Sequence, residues 1–163
     1  MRMIIALAAS LSVLPSANSA GAQTSRPSLD YASAAKIREG CLAWAAKTDK
    51  RVVITILDDR AMLVAFAHLD GASMSAGDIS RWKANAAARF GRASADIAKL
   101  NPADSVPNVA TIPGGVPIFT ADDILLGGVG VSGGRPEDDV ACAKAGIEAA
   151  GLRAEKRPAP PAQ

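Results

Sequence analysis

Three side chains carry most of the chemistry that this sequence offers: His68, Lys83 and Arg89. His68 is the only histidine in 163 residues. An imidazole is the most common metal ligand in proteins and also holds the iron of many haem proteins. A single histidine in an apolar strand is equally compatible with a core or interface residue that makes one hydrogen bond. Both interpretations of His68 remain open.

Lys83 interrupts an apolar helical stripe that Ile79, Ala86 and Phe90 continue. It is either a lysine that extends its ammonium to solvent from the edge of the stripe, or a cation that lines a pocket and binds a ligand carboxylate. If the protein is an enzyme, Lys83 is the candidate catalytic residue, acting as an electrophile or a base after desolvation lowers its pKa. Arg89 offers a second cation for the same carboxylate, although a solvated helix face also explains it.

Residues 128–133 read G-x-G-x-x-G between a predicted strand and a predicted helix, which is the pattern of a dinucleotide-binding turn. Such a site needs a βαβ unit and an acidic residue about 20 residues further on. Here the chain ends in one helix and a proline-rich tail, and the acidic residues 137–139 would repel a phosphate. We therefore expect no nucleotide cofactor, and expect the glycines to let the strand pack closely against a helix.

The elements that must position these residues follow from hydrophobic periodicity. Helical spacing predicts helices over about residues 28–47, 75–90, 93–100 and 136–150. A hairpin is predicted from strands 52–57 and 62–69, the second with both faces covered, and short strands follow at about 109–112, 116–120 and 124–132. The order is helix, hairpin, two helices, meander and helix. It predicts an α+β fold with an antiparallel sheet of about five strands flanked by helices.

The N-terminus has the organisation of an export signal. Arg2 precedes an apolar stretch, and Ala20-Gly21-Ala22 provides the small-residue pattern of a cleavage site, so we expect cleavage after Ala22. The apolar stretch is too short to span a membrane. The interpretation divides the chain into a signal peptide (1–22), a spacer (23–27), one domain (28–151) and a disordered tail (152–163). The product is expected to be periplasmic or secreted, with no membrane segment.

Charge and cysteine content restrict the partners further. The chain has a formal net charge of +2, and removal of residues 1–22 takes away one charged residue, Arg2, which leaves +1. A nearly neutral domain binds polyanions poorly, so we expect no nucleic acid partner.

Two cysteines in an exported chain, Cys41 and Cys142, favour a disulfide between the first and last helices. Two buried thiols are the alternative.

Several segments together resemble the GlcG/HbpS-like haem-binding family, which is also similar to the C-terminal domain of PduO-type corrinoid adenosyltransferases. The segments that carry the resemblance are, in chain order, residues 53–58, 64–72, 83–92, 113–118 and 127–134, followed by acidic residues and Cys142. They cover nearly all of residues 28–151. In this family the position of His68 is usually arginine, so the change either creates a haem ligand or removes a cation.

The resemblance implies an antiparallel sheet flanked by helices, assembly into homo-oligomers, and haem or another tetrapyrrole as the ligand. Some members are expected to degrade haem slowly or to bind iron. A haem site needs an apolar slot, an axial ligand and cations for the propionates. The residues that would supply these are Phe66 and Phe90, His68 as the iron ligand, and Lys83 and Arg89. The alternative function is a small-metabolite enzyme that uses Lys83.

Overall fold

The computed structural model describes residues 25–158, so the predicted signal peptide and its cleavage site lie outside the described residues. Within this range the elements are α1 (Tyr31–Lys47), β1 (Val53–Asp58), β2 (Leu63–His68), α2 (Met74–Phe90), α3 (Ser94–Lys99), β3 (Gly115–Phe119), β4 (Leu125–Ser132) and α4 (Pro136–Ala149). The predicted α+β class is confirmed. None of the helices in residues 25–158 combines the length and hydropathy needed to cross a bilayer.

The sheet has four antiparallel strands in the order β2-β1-β4-β3, rather than the five strands predicted. The strand expected at about 109–112 is wrong, because this segment is a loop that packs against helices. Ala110 is buried with Ala86 and Ile97. The carbonyl of Ile112 accepts a hydrogen bond from the Ser94 hydroxyl at 2.7 Å, so a side chain takes the place of a neighbouring strand.

Helix α2 covers one face of the sheet, lying over β4, β1 and β3. The contact with β4 is close because β4 carries glycines where the helix crosses it. A Cβ at Gly128 would lie 2.6 Å from the Ala84 carbonyl oxygen, and one at Gly130 would collide with the Ser80 carbonyl oxygen. The packing role predicted for these glycines is therefore confirmed.

Helices α1 and α4 cover the other face and enclose the main core. The disulfide predicted between Cys41 and Cys142 is present, with an S–S distance of 2.00 Å and a Cα–Cα distance of 4.7 Å. It joins α1 to α4 across 101 residues of sequence. Helix α1 begins at Tyr31 because the Asp30 carboxylate accepts a hydrogen bond from the Ser33 amide at 2.7 Å and caps the helix.

The disorder predicted for residues 152–163 does not extend to residues 152–157, which we call the C-terminal segment. Arg153 and Phe119 exchange two backbone hydrogen bonds, of 2.8 and 2.9 Å, at the free edge of β3. The Asp123 carboxylate accepts hydrogen bonds from the Arg157 amide at 3.0 Å and from its guanidinium at 2.8 Å. Composition alone could not reveal these partners. Residues 159–163 lie outside the described range.

Candidate functional site

A cleft of about 680 Å³ opens where α2 ends, between β3, α4 and the C-terminal segment. This volume is within the usual range of small-molecule sites. Its apolar lining comes from β3 and from the elements around it: Phe90, Val116, Pro117, Phe119, Leu125 and Val140. We refer to this site as the cleft.

The end of α2 directs two of the predicted site residues into the cleft. Gly91 adopts a left-handed conformation, with φ of 58°, and its amide donates a hydrogen bond to the Ala87 carbonyl at 3.0 Å. This is the usual glycine termination of a helix, and it turns the chain sharply. As a result Arg89, Phe90 and Arg92 all line the cleft within a few residues of sequence.

Among residues 25–158, four cations line the cleft, and they come from three parts of the chain. Arg89 and Arg92 flank the end of α2, Lys144 comes from α4, and Lys156 comes from the C-terminal segment. The Arg89 guanidinium donates a hydrogen bond of 2.6 Å to the Asn85 side chain. The Lys156 ammonium lies 5.5 Å from the centre of the Phe119 ring, within the range of a cation–π contact.

Two carboxylates also line the cleft, and each is already paired. Asp96 lies 2.6 Å from the Lys99 ammonium. Glu155 lies 2.7 Å from the Lys144 ammonium. The cleft therefore combines an apolar floor with an excess of positive charge. Such a lining suits a ligand that has an apolar body and carboxylate groups.

Lys83 lies in the core, where it forms a buried ion pair. Its side chain is 2% exposed, and its ammonium donates hydrogen bonds to Asp139 at 2.8 Å and to the Val131 carbonyl at 2.9 Å. Asp139 also accepts a hydrogen bond of 3.0 Å from the Gly134 amide. Burial raises the pKa of Asp139, and this effect outweighs the opposing influence of the Lys83 ammonium. Lys83 is thus neither extended to solvent nor exposed to an open pocket.

Gly114 lies between Lys83 and the cleft. It lines the cleft, and a Cβ at this position would lie 2.8 Å from the Lys83 ammonium. Its φ of 121° also favours glycine. The position of Lys83 behind this backbone does not favour the alternative in which Lys83 serves as a base or electrophile toward a substrate.

His68 and Phe66 lie on β2, at the opposite edge of the sheet from β3. Three strand spacings separate these edges, or about 14 Å. His68 is exposed, with its imidazole 3.3 Å from the Ala72 carbonyl oxygen and its ring 6.5 Å from that of Phe66. Phe66 is 45% exposed. The expectation that both faces of β2 are covered is wrong, because α2 lies over the other three strands.

Phe66 lines a separate groove of about 320 Å³ between β2 and the first half of α2, together with Leu63 and Arg81. The residues predicted for one haem site therefore occupy three places. Arg89 and Phe90 line the cleft, Phe66 and His68 lie at the opposite edge, and Lys83 is in the core between them. Within residues 25–158 no group of three or more His, Cys, Asp or Glu side chains is arranged to hold a metal ion.

Four residues of the core ion pair and the cleft were not among the predicted site residues: Asp139, Lys144, Glu155 and Lys156. A lysine that is buried on the apolar face of a helix needs an anionic partner. The acidic residues 137–139 were therefore the available indication of a partner for Lys83. Which of the three acids faces α2 depends on how α4 is rotated. Lys144 resembles any other helix-surface lysine, and the two residues of the C-terminal segment were assigned to a disordered tail.

Comparison with known proteins identifies the family. The model of the HbpS-like haem-degrading proteins matches residues 29–148. The chain therefore belongs to the HbpS-like family. A search of curated protein sequences finds no significant match.

Three solved structures with the same fold are an HbpS, a mutant HbpS and a PduOC–haem complex. A PduOC–haem complex is 22% identical, with a TM-score of 0.72 over 80% of this chain and 100% of its own. HbpS is 25% identical, with a TM-score of 0.72 over 78% of this chain and 94% of its own. A double mutant of Streptomyces reticuli HbpS is 24% identical, with a TM-score of 0.73 over 84% of this chain and 97% of its own.

Proposed function

We propose that this protein binds haem or a closely related tetrapyrrole in the cleft, as an exported accessory or sensing protein. The observation that carries the proposal is the combination of an apolar floor with four cations in a cleft of about 680 Å³. Membership of a family described as haem-degrading supports it. The haem complex of a structural relative supports it as well.

The residues of the cleft fit the periphery of a haem. The aromatic and aliphatic side chains of Phe90, Val116 and Phe119 offer apolar surface to the macrocycle, and the cations offer partners for its propionates. Arg89 and Arg92 would bind carboxylate from the α2 side, and Lys144 from the α4 side. When bound, haem would supply redox and oxygen chemistry. The chain's own part is to bind and orient the macrocycle and to limit the access of water to it.

A haem titration followed by the Soret band tests the proposal. We expect Arg89→Ala and Lys144→Ala each to weaken haem binding by about tenfold, because each removes a hydrogen bond between charged groups. Arg60→Ala, in the exposed turn between β1 and β2, is the matched control and should bind haem as the unaltered protein does. Haem binding that survives both cleft substitutions but is lost in Phe66→Ala would move the site to the groove at the opposite edge.

The role predicted for His68 as the iron ligand is tested by the same titration. If His68→Ala leaves the position and intensity of the Soret band unchanged, His68 is not the ligand. A shift of the Soret band in His68→Ala would show that the iron lies against β2. It would then contradict the proposal that haem binds in the cleft of the chain that carries His68.

Export is a further part of the proposal, and the disulfide supports it. Disulfides form and persist mainly outside the reducing cytosol, and Cys41 and Cys142 are bonded. Cell fractionation with N-terminal sequencing tests it. We expect the protein in the periplasm or medium, beginning at Gln23. An unprocessed chain in the cytoplasm would contradict export.

Self-association is also proposed, and the exposed edge strand supports it. Met62, Leu63 and Phe66 are large apolar residues that are 64%, 49% and 45% exposed at β2. In the part of the chain that the structure describes, one side of β2 has no neighbouring strand. An exposed apolar edge of this kind favours association with another chain.

A further inference from the structure

The cleft offers partners for the carboxylates and the ring of a tetrapyrrole, but no usual partner for its iron. Haem iron is held in proteins by histidine, cysteine thiolate, methionine or tyrosine. Within residues 25–158, none of these four residue types lines the cleft. The cleft therefore fits the macrocycle and its carboxylates, but it does not offer a ligand for the iron.

The side chains that could ligate iron lie elsewhere in the part of the chain that the structure describes. Cys41 and Cys142 are bonded to each other and fully buried. His68 and Met62 lie at the opposite edge of the sheet. The two others, Tyr31 and Met74, belong to the first residues of α1 and α2 and do not line the cleft.

Carboxylates are not among the usual ligands of haem iron, and the two carboxylates of the cleft already face cations. Asp96 is paired with Lys99 at 2.6 Å, and Glu155 with Lys144 at 2.7 Å. A ligand carboxylate, by contrast, finds cations on two sides, since Arg89 and Arg92 come from the end of α2 and Lys144 comes from α4. One ligand with two carboxylates can therefore contact different elements of the fold.

We propose that the cleft recognises dicarboxylic tetrapyrroles by their carboxylates and ring face, and not by their metal. This inference rests on the proposed function and narrows its ligand class. Metal-free porphyrin diacids should bind as well as haem does. The bound iron of haem should have no ligand from the chain that holds it.

The test compares three probes on the purified protein: ferric haem, metal-free protoporphyrin IX and protoporphyrin IX dimethyl ester. We expect the Kd values of haem and protoporphyrin to agree within about threefold, a small difference on the free-energy scale. The diester should bind at least about tenfold more weakly, because it cannot form the charged hydrogen bonds. Arg89→Ala should weaken haem and protoporphyrin by the same factor, and Arg60→Ala should weaken neither.

Three results would overturn the inference. The first is haem binding at least about tenfold tighter than protoporphyrin, which would indicate that the iron contributes. The second is a loss of haem affinity, without loss of protoporphyrin affinity, in His68→Ala. The first would leave the proposed function intact, whereas the second would also contradict haem binding in the cleft. The third is equal binding of the diester and the diacid. If neither diacid binds, the proposed function itself fails together with the inference.

Discussion

The Lys144 ammonium and the Glu155 carboxylate lie 2.7 Å apart in the cleft. The chain therefore already places a carboxylate on one of the four cations that a ligand would use. Both side chains are substantially exposed, so the pair is weak and a ligand can displace it. If the proposed function is correct, Glu155 of the C-terminal segment would compete with a carboxylate ligand for Lys144.

Removing this competitor should strengthen binding. We expect Glu155→Gln to raise the affinity for haem by about two- to fivefold, the range set by the energies of exposed ion pairs. Fluorescence or absorbance titration measures the change. Glu148→Gln, on an exposed position of α4, is the matched control and should leave the affinity unchanged. An unchanged or lower affinity in Glu155→Gln would show that Glu155 does not compete for Lys144.

The buried ion pair should be sensitive to loss of one partner. Lys83→Met leaves Asp139 buried without its cation, and we expect it to lower the free energy of unfolding by about 3–5 kcal/mol. The double variant Lys83→Met/Asp139→Leu should recover much of this loss, because it removes both charges together. Urea denaturation measures each variant.

The exposed pair between Lys99 and Asp96 provides the control for this experiment. Lys99→Met should change the free energy of unfolding by no more than about 0.5 kcal/mol. If Lys83→Met costs as little as Lys99→Met, the pair between Lys83 and Asp139 is not a structural contact. A folded Lys83→Met variant should still bind haem, since Lys83 lies behind Gly114.

Low pH should release the C-terminal segment. Hydrogen bonds from the Arg157 amide and guanidinium hold the pKa of Asp123 below its usual range. A lowered pKa means that the stabilisation is present above the pKa of the unfolded chain and is lost as pH falls through the folded value. We therefore expect the segment to be attached at neutral pH and to begin to loosen as pH falls below about 4, the ordinary pKa of a carboxyl group in an unfolded chain.

Hydrogen exchange of the Arg153 amide, corrected for intrinsic rates, measures this release, because that amide donates to Phe119 at the point of attachment. The Ile56 amide in the central strand β1 reports global unfolding and serves as the internal reference. Asp123→Asn should lower protection of Arg153 at neutral pH. Protection of Arg153 that stays constant relative to Ile56 down to pH 3 or so would contradict the prediction.

The disulfide between α1 and α4 should contribute measurably to stability. We expect reduction, or the double variant Cys41→Ser/Cys142→Ser, to lower the free energy of unfolding by about 3–4 kcal/mol, as is usual for a bridge that closes a long loop. Thermal unfolding with and without a reductant gives the value. The double variant should be insensitive to the reductant. A Tm of the unaltered protein that does not change on complete reduction would show that the bridge adds nothing.

Self-association through β2 should depend on its exposed aromatic residue. We expect Phe66→Glu to reduce the mass measured by light scattering toward that of a single chain, since it puts a charge on an apolar edge. Phe90→Glu, in the cleft at the far end of α2, is the control and should leave the mass unchanged. A single-chain mass for the unaltered protein would contradict the proposal of self-association.

Local signals in the sequence were sufficient for most of the fold. The second helix ends at Gly91, as the sequence predicts, whereas the first begins at Tyr31 rather than near residue 28. Gly128 and Gly130 indicated close packing against a helix. Contacts between distant segments were not readable. Residues 109–112 have strand-like composition but pack against α2 and α3, and Phe119 pairs with Arg153 from a segment of disorder-like composition.

The site was predictable only in part, for a related reason. Arg89 and Phe90 share the end of one helix, and both line the cleft. His68 was grouped with them, but the strand order places β4 and β1 between β3 and β2, which separates His68 from the cleft. Strand order is set by pairings across the whole chain, and the hairpin of β1 and β2 gives no information about which of its strands lies at the edge.

The backbone of Gly114 separates the buried Lys83–Asp139 ion pair from the cations of the cleft. The two sets of charges differ in how much a substitution costs the stability of the fold. The ion pair behind Gly114 is constrained by the cost of burying charge, whereas the cations in front of it face solvent and can be exchanged at little cost to folding. Under the proposed function, substitution of these cations would change the ligand preference of the cleft while the interior stays the same.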